Sequence, residues 1–245
     1  MNKVQFSAVN SQPSWGNKCR DRKASAILTT LTHFSAFNLS EAEWLDIGCG
    51  SGGIAAALAP HAKNMTGIDP EPWPEWPELM QHNPNLIFRQ GSYETTSISP
   101  GSLDVIICNQ VYEHVPDPIR LIRFIHNTLR PGGLAYFAGP NLLFPVEPHV
   151  FWPFVHWLPR SFAVWLMRLC GSHKVLDAYS KTYWQLRRWL EDFETINAVP
   201  FILRDPEAFN RRQLIWRLLG AIPSSLLDKL TCLSPTFVFI LRKTQ

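Results

Sequence analysis

The ten residues from Trp44 to Gly53 constrain this chain more than any other stretch of its sequence. They read Trp-Leu-Asp-Ile-Gly-Cys-Gly-Ser-Gly-Gly, an apolar strand that runs into a cluster of glycines. Glycines at such a turn permit backbone conformations that other residues avoid, and they let a ligand approach the backbone closely. A helix begins at Gly53, and its free N–H groups point toward that ligand. We therefore expect a nucleoside-binding turn after the first strand of an α/β domain.

The spacing of apolar residues alternates strands with helices along the first 140 residues. The predicted strands are Glu43–Ile47, Asn64–Ile68, Asn85–Gln90, Leu103–Asn109 and Leu134–Ala138. The predicted helices are Lys18–Phe34, Gly53–Leu58, one from about Glu78 and one from about Pro118 to Leu129. This alternation predicts a parallel, doubly wound sheet.

The pattern changes after Pro140. Residues 141–180 form an aromatic-rich insertion with helical character, followed by a predicted helix at Thr182–Glu191 and a strand at Thr195–Ile202. A helical stretch around Arg211–Leu219 and a β-rich run at Thr236–Leu241 close the chain. We expect one domain over residues 1–245, with a core at 40–140, an acceptor-side insertion at 141–180 and C-terminal elements at 181–245.

The glycine pattern admits two classes of cofactor. Gly48, Gly50 and Gly53 also satisfy the fingerprint of dinucleotide-binding proteins. Asp69, at the end of the second strand, fits either class because its carboxylate can accept hydrogen bonds from ribose hydroxyls. Asp46 favours S-adenosylmethionine (SAM), because a carboxylate attracts the ammonium and sulfonium of SAM better than a pyrophosphate.

Two later motifs complete a recognisable set. Leu-Arg-Pro-Gly-Gly at 129–133 precedes the fifth strand, and Asn-Gln-Val-Tyr-Glu-His-Val-Pro-Asp-Pro at 109–118 follows the fourth. With them the sequence resembles the class I SAM-dependent methyltransferases, in particular the small-molecule group that includes ubiquinone-biosynthesis enzymes. The resemblance is close over Trp44–Pro140. It implies a seven-stranded sheet whose last strand is antiparallel, with Thr236–Leu241 beside Thr195–Ile202, and methyl transfer from SAM to a small acceptor.

The same resemblance implies a set of cofactor-binding residues. Those near the methionine end of SAM are Asp46, Gly48, Cys49, Gly50, Gly52 and, beneath the sulfonium, Asn109. Asp69 would bind the ribose. Ser92 matches a position that often holds an adenine-binding aspartate, and it departs from that pattern because serine carries no charge. Trp73 or Tyr93 would stack on the adenine or, alternatively, only pack within the protein.

Three residues are candidates for catalysis. His114 follows the fourth strand at the ligand-binding edge of the sheet and is a candidate general base; the alternative is a structural role at the Pro116-Asp117 turn. Glu147 and His149 lie two residues apart on an extended, proline-rich segment, so both can face an acceptor pocket. The alternative for this pair is capping or loop packing.

A metal is not expected. The ubiquinone O-methyltransferases are similar around His114 and carry a Glu-x-x-Glu-His array that can hold a divalent ion. This sequence has Gln110 at the first acidic position. Because the loss of an anionic oxygen weakens a site for a hard cation, we predict that no metal is bound.

Composition bears on the acceptor and on location. Residues 151–245 hold 13 Lys/Arg against 7 Asp/Glu, and residues 1–150 hold 10 against 13. The aromatic stretch Phe151–Arg160 is interpreted as a lid over a hydrophobic or lipid-linked acceptor, an element at a membrane surface, or an extra helix on the sheet. Five cysteines without a CxxC pair, and a polar Met1–Ser14, predict a cytoplasmic protein that is at most peripheral to a membrane.

Two other functions stay open at this stage. The glycine pattern alone permits an NAD(P)-dependent oxidoreductase, and the departures at Ser92 and Gln110 permit a non-catalytic SAM-binding subunit. A nucleic-acid partner is not expected, because the fourth strand does not end in an Asn/Asp-Pro-Pro-Tyr-like loop. The sequence does not define the oligomeric state or the acceptor.

Overall fold

The computed structural model describes residues 17–206, 209 and 218–244, with side chains from Arg20 onward. Its strands are β1 (Glu43–Ile47), β2 (Asn64–Asp69), β3 (Leu86–Gln90), β4 (Leu103–Asn109), β5 (Leu129–Pro140), β6 (Val146–Glu147), β7 (Trp152–Pro153), β8 (Phe193–Asn197) and β9 (Thr236–Lys243). Its helices are α1 (Asn17–Phe34), α2 (Gly53–Leu58), α3 (Trp76–His82), α4 (Pro118–Thr128), α5 (Arg160–Leu169), α6 (Tyr183–Trp189), α7 (Val199–Arg204) and α8 (Ser224–Leu230).

Seven of these strands form one sheet in the order β3-β2-β1-β4-β5-β9-β8. Strands β1 to β5 run parallel to one another. The final strand, β9, lies between β5 and β8 and is antiparallel to both. The predicted fold class, a doubly wound seven-stranded sheet with an antiparallel last strand, is confirmed.

The sheet is covered on both faces. Alternate residues of each central strand enter opposite cores, so Trp44 packs with α1 and α2 while Leu45 packs with α4 and α6. In β4 the four residues 105–108 have no exposed surface. A nearly continuous apolar run is expected for a strand with helices on both sides. The parallel strands therefore end together at one edge, where their carboxyl-terminal residues meet.

Prolines account for two differences from the predicted boundaries. The predicted strand Thr195–Ile202 is wrong in its second half, because β8 ends at Asn197 and α7 begins at Val199. Pro200 lies in the first turn of that helix, where its missing N–H costs no hydrogen bond. Helix α3 likewise begins at Trp76 rather than about Glu78 and has a proline in its first turn. Most of the predicted helical stretch around Arg211–Leu219 lies outside the described residues.

The insertion after β5 has a small core of its own. Strands β6 and β7 pair as a short hairpin, and α5 follows. Five buried side chains hold this unit together in a cluster separate from the two cores of the sheet: Val150, Val155, Ala163, Met167 and Leu176. The buried side of α5 therefore packs on the insertion itself.

The chain returns from α5 along the ligand-binding edge of the sheet. The backbone N–H of Tyr179 donates to the carbonyl of Glu113 at 2.8 Å, and the N–H of Lys181 donates to the hydroxyl of Tyr112 at 3.3 Å. The N–H of Leu142 donates to the carbonyl of Lys181 at 3.1 Å. These bonds fix the insertion beside the ends of β4 and β5.

The described helices and cysteines bear on membrane insertion and on disulfide bonding. Within the described ranges, no helix has both the length and the apolar composition that crossing a bilayer requires. The four cysteines whose side chains are described, Cys49, Cys108, Cys170 and Cys232, are free thiols.

Candidate active site

The glycine turn after β1 has the left-handed backbone that its sequence predicts. Gly48, Gly50 and Gly52 have φ values of +67°, +52° and +82°. The N–H groups of Gly48 and Cys49 both donate to the carbonyl of Ile68, at 2.8 and 3.1 Å. The turn is thus bonded to the end of β2, the strand that carries Asp69.

Neighbouring side chains leave no room for a Cβ atom at two of the glycines of the turn. A Cβ on Gly48 would lie 2.7 Å from Cγ2 of Val111, and a Cβ on Gly52 would collide with the ring of Phe88. The ring of Phe88 also stacks on Trp76 at 5.1 Å. Phe88 in β3 therefore supports the turn from below and leaves no room for side chains on its inner side.

Asp69 is already a structural partner of the turn. One carboxylate oxygen, Oδ2, accepts the N–H of Gly50 at 2.9 Å, and Oδ1 accepts the N–H of Glu71 at 3.0 Å. A carboxylate has about four acceptor positions, so two hydroxyl groups of a ribose can still bind. Asp69 thus joins the turn to the position where the ribose is expected.

The segment between β2 and α3 forms a wall next to the turn. Trp76 Nε1 donates to the carbonyl of Gly50 at 2.8 Å, and Trp73 lies within van der Waals reach of Gly50. Trp73 Nε1 and Glu75 Oε2 are buried without a hydrogen-bond partner in the described part of the chain. Trp73 therefore lies where a stacked adenine could meet it.

Tyr93, the other residue considered for stacking, lies elsewhere. It is 7% exposed, its ring packs against Phe124, and its hydroxyl donates to the carbonyl of Asp117 at 3.1 Å. These contacts favour the packing role for Tyr93.

Asp46 carries a carboxyl group that is almost fully buried. It is 4% exposed and lies in β1 between Gly67 of β2 and Ile107 of β4. Burial, together with the charge of Asp69, raises the pKa of Asp46 to about 8. A cation bound beside it would favour the ionised form, so the site is better suited to a positively charged ligand than to a phosphate.

The remaining predicted cofactor-binding residues differ in their exposure and in the hydrogen bonds they already make. Ser92 lies in a turn where its Oγ accepts the N–H of Glu94 at 3.1 Å, so one lone pair is already used. Asn109 is the last residue of β4, pairs with Ala138 and is partly exposed. Cys49 is half-buried in the turn, and burial raises the pKa of its thiol. Their roles toward a cofactor stay predictions.

Arg20 is a residue that the sequence argument missed. It lies in α1, and a Cβ built on Gly53 would be 2.7 Å from its Cδ, 3.5 Å from Nη1 and 3.6 Å from Nε. Its half-buried guanidinium has no hydrogen-bond or ion-pair partner among the described residues. No sequence motif marks an arginine in the helix that precedes the first strand. Arg20 lies next to the glycine turn because α1 packs on α2.

The three predicted catalytic residues come together at the same edge of the sheet. His114 Nε2 lies 3.3 Å from His149 Nε2. The other ring nitrogen of His149, Nδ1, lies 2.8 Å from Glu147 Oε1. Glu147 is 1% exposed, and its Oε2 also accepts the N–H groups of His149 and Val150, both at 2.7 Å.

Two acidic residues that were not predicted complete this histidine cluster. Glu113 is fully buried, its Oε1 lies 3.6 Å from His149 Nε2, and neither carboxylate oxygen has a hydrogen-bond partner in the described part of the chain. Asp177, from the returning segment of the insertion, lies 3.6 Å from His114 Nδ1. Each histidine therefore has one carboxylate behind it and Glu113 beside it.

The surroundings of the two histidines shift their pKa values in opposite directions. Burial alone lowers the pKa of His149, but its hydrogen bond to Glu147 and the nearby carboxylates outweigh burial and raise that pKa. Burial lowers the pKa of His114, and the nearby charge of Asp177 opposes the shift without reversing it. Burial also raises the pKa of Glu113 to about 7. His149 is thus the stronger base of the two.

The cluster also has the donor atoms of a metal site. One ligand atom each from Glu113, His114 and His149 lies within 4.8 Å of the others. The sequence argument considered only the ligands of one motif around Gln110, and it missed that His149 comes from the following loop. The absence of a metal stays a prediction.

Comparisons with known proteins agree with this geometry. A family model described as a methyltransferase domain matches residues 20–195. The ubiquinone biosynthesis O-methyltransferase of Albidiferax ferrireducens is 35% identical over 102 residues, which are 40% of this chain and 40% of that protein. The enzyme of the same name from Sodalis glossinidius is 26% identical over 159 residues, 63% of this chain and 57% of that protein. The chain therefore matches about half the length of these relatives.

Solved structures show the same fold. The phosphoethanolamine N-methyltransferase 2 of Haemonchus contortus, in complex with SAM, superposes with a TM-score of 0.56 at 17% identity, over 96% of this chain and 59% of that one. A Burkholderia thailandensis 1,6-didemethyltoxoflavin-N1-methyltransferase, with S-adenosylhomocysteine bound, gives a TM-score of 0.54 at 18% identity, over 94% and 81%. At these identities the likeness establishes the fold.

The burial of Asp46 predicts an unusual pH dependence of stability. Its pKa in the folded protein lies well above the ordinary carboxyl value, so the folded state holds this proton more tightly than the unfolded chain. The contribution of Asp46 to stability is therefore lost as pH rises toward about 8. Asp46→Asn, which cannot ionise, should gain on the order of 3–4 kcal/mol over the unmodified protein between pH 5 and pH 8 in urea unfolding. Parallel pH dependence of the two proteins would contradict the buried carboxyl.

Proposed function

The chain belongs to the methyltransferase domain family, and from this membership we propose that it transfers a methyl group from SAM to a small, hydrophobic or lipid-linked acceptor. The observation that carries the proposal is the pairing of a glycine turn with two carboxylates, Asp46 and Asp69. We further propose that residues 1–245 act as one domain, with the core at 40–140 binding SAM and the insertion at 141–180 receiving the acceptor.

The charges around the turn favour SAM over a nicotinamide dinucleotide. The amino-acid end of SAM carries an ammonium and a carboxylate, and the sulfonium adds a second positive charge. Asp46 supplies a negative group for the cations, and the guanidinium of Arg20 supplies a positive group for the carboxylate. A pyrophosphate would gain no charge pairing with Asp46 and would oppose its ionisation, so the oxidoreductase alternative is disfavoured.

The histidine cluster supports catalysis rather than a non-catalytic SAM-binding role. A buried glutamate whose carboxylate accepts no hydrogen bond in the described part of the chain, next to two half-buried imidazoles, costs stability in a protein that has no use for them. Perturbed titratable groups of this kind gather at functional sites. The cluster lies at the edge of the sheet where ligands of doubly wound folds bind.

The proposed reaction is displacement at the methyl carbon of SAM by an acceptor oxygen. The bond between the methyl and the sulfur breaks, a bond between the methyl and the oxygen forms, and S-adenosylhomocysteine leaves. The hydroxyl proton passes to Nε2 of His149. Its Nδ1 faces Glu147 at 2.8 Å, so the neutral ring carries its proton there and leaves Nε2 as the base. Glu147 then stabilises the protonated ring.

His114 has a positioning role in this proposal. Its lowered pKa keeps the ring neutral near neutral pH, so it can share a hydrogen bond with the acceptor without repelling the protonated His149. Its Nε2 lies 3.3 Å from the base, close enough for both rings to meet one hydroxyl group. Methyl transfer needs little more from the protein than this alignment and the exclusion of water.

A divalent cation fits the same donor atoms. Glu113, His114 and His149 would hold it, since the carboxylate is orphaned and both imidazole nitrogens face it. Such an ion would supply positive charge beside the acceptor oxygen. His149 cannot use one nitrogen both as base and as ligand, and the reaction proposed here uses it as base.

The acceptor is proposed from the insertion and from the relatives. Proteins named ubiquinone biosynthesis O-methyltransferase are similar to this chain over the SAM-binding core. In this chain the acceptor side is bordered by an aromatic insertion that carries His149 and Asp177. We propose a phenolic or similar hydroxyl on a molecule with an apolar tail, met by a protein that is peripheral to the membrane.

A transfer assay tests the function. The purified chain should move labelled methyl groups from SAM to a catechol with an apolar tail and release S-adenosylhomocysteine, both measured by mass spectrometry. Activity should persist in a chelator, since the proposed base is a side chain. The absence of S-adenosylhomocysteine with every hydroxylated acceptor tried, by protein that binds SAM, would contradict the catalytic proposal.

The His149–Glu147 pair predicts a defined pH profile. The base must be unprotonated, so kcat should rise with pH through the pKa of His149, which lies above its ordinary value. His149→Ala should lower kcat by about 10²–10⁴-fold with SAM binding retained. Glu147→Gln should lower the pKa of His149, and the rising limb should move to lower pH. His61→Ala is the control. His61 is an exposed histidine outside the cluster, so its loss should leave the pH profile unchanged.

Retention of the wild-type profile in Glu147→Gln would show that Glu147 does not act through His149. Equal rates for His149→Ala and the unmodified protein would remove His149 from the reaction.

Arg20 predicts a selective loss of affinity. If its guanidinium pairs with the carboxylate of the cofactor, Arg20→Ala should weaken binding of S-adenosylhomocysteine by roughly 1.5–3 kcal/mol, about 10- to 100-fold. Methylthioadenosine, which has no carboxylate, should bind both proteins equally. Arg22→Ala, on the exposed side of the same helix, is the matched control. An equal loss for both ligands in Arg20→Ala would mean that Arg20 only supports the turn.

A further inference from the structure

The insertion exposes an unusual amount of large apolar surface. Of the fifteen large apolar side chains found exposed in the described chain, nine lie between Phe151 and Trp184. Six of them define what we call the aromatic face: Phe151, Phe154, Trp157, Phe162, Trp165 and Leu169, each between 47% and 68% exposed. Exposed large apolar side chains gathered in one short segment indicate a site of interaction with a protein or a membrane.

Helix α5 is built to present this face. Phe162, Trp165 and Leu169 follow a spacing of three and four residues, so they project from one side of the helix. Ala163 and Met167 lie on the other side and are buried in the core of the insertion. The rings of Phe162 and Trp165 stack at 5.5 Å, and those of Phe154 and Trp157 lie 5.0 Å apart. The face is therefore held in place by the small core beneath it.

Backbone strain at two phenylalanines points to function. Phe151 and Phe154 have φ values of +59° and +60°, a region that costs a bulky residue of order 1–2 kcal/mol. Asparagine or glycine would adopt these turns more easily. Phe151 is 58% exposed and Phe154 is 50% exposed, so burial of the rings in the protein does not offset the cost. A partner that covers the rings would.

The charges beside the face have one sign. Between residues 151 and 184 the sequence has four Lys/Arg and one acid, Asp177, and that acid lies beside His114. Arg160 lies over the ring of Tyr179 at 4.4 Å, and Nζ of Lys174 is 5.4 Å from the ring of Phe151. Arg168 is exposed in the last turn of α5. Aromatic rings fringed by cations match the boundary between anionic headgroups and acyl chains.

A second copy of this chain is a poor match for the same surface. A symmetric contact would bring the face against itself and place Arg160, Arg168 and Lys174 near their counterparts. Like charges at such short range oppose association. A bilayer with anionic lipids supplies both the apolar layer and the opposite charge.

We propose that the aromatic face docks the protein on anionic lipid bilayers, with Arg160, Arg168 and Lys174 at the phosphates. The benefit of such docking rests on the proposed function, methyl transfer to an apolar acceptor. The insertion that carries the face also carries Glu147 and His149 at its start and Asp177 near its end. Docking therefore brings the acceptor side of the histidine cluster to the layer in which an apolar acceptor dissolves.

Vesicle binding tests the proposal. The full chain should sediment with vesicles of equal parts phosphatidylglycerol and phosphatidylcholine, and its partition should fall about tenfold or more on phosphatidylcholine alone or at high salt. The double variant Phe154→Ser, Trp165→Ser should lose binding about tenfold or more. The control variant Ile87→Ser, Ile119→Ser removes two exposed apolar side chains outside the insertion and should bind as the unmodified chain does. Circular dichroism and thermal unfolding establish that each variant is folded.

Two activity measurements separate this proposal from the function itself. With a short, water-soluble catechol, the Phe154, Trp165 variant should retain the unmodified rate; with the same group on a tail embedded in vesicles, its rate should fall with its partition. Failure of vesicle binding with normal transfer to the soluble catechol would overturn docking and leave methyl transfer standing. Sedimentation velocity that shows self-association abolished by the double variant would overturn it in favour of a contact between copies.

Discussion

The hydrogen bond from the Gly50 N–H to the carboxylate of Asp69 is the contact on which the cofactor half of this molecule depends. It joins the glycine-rich turn to the end of the neighbouring strand, and two further bonds to the carbonyl of Ile68 hold the same turn. The ring of Phe88 supports the turn from below. The proposed fit to SAM depends on this turn and on the two carboxyl groups beside it, Asp46 and Asp69.

The acceptor half is organised by a different principle. Its polar groups come from segments that have little regular structure, and they converge because the insertion is bonded back to the ends of β4 and β5. Glu147 holds His149 through two hydrogen bonds and the adjacent Val150 through a third. Asp177 reaches His114 because Tyr179 and Lys181 are bonded to the loop after β4. The same insertion exposes the aromatic face. The proposed acceptor chemistry and the proposed attachment to a membrane therefore share one insertion.

Sequence reasoning succeeded where local rules determine structure. The glycine turn, the strand β4 and the alternation of elements follow from backbone conformation and the period of apolar residues, and they predicted the doubly wound parallel sheet. The antiparallel last strand was expected only from the resemblance to SAM-dependent methyltransferases. Sequence reasoning failed where packing decides. The segment after Asn197 is helical because Pro200 is tolerated in a first turn. Arg20 reaches the turn only through the packing of α1, and Glu113 and Asp177 join the histidines through contacts far apart in sequence.

Titration calorimetry with S-adenosylhomocysteine tests the central claim most directly. The account predicts saturable binding at one site per chain and no saturable heat with NADH under the same conditions. Saturable binding of NADH, or the absence of saturable heat with both SAM and S-adenosylhomocysteine, would contradict it.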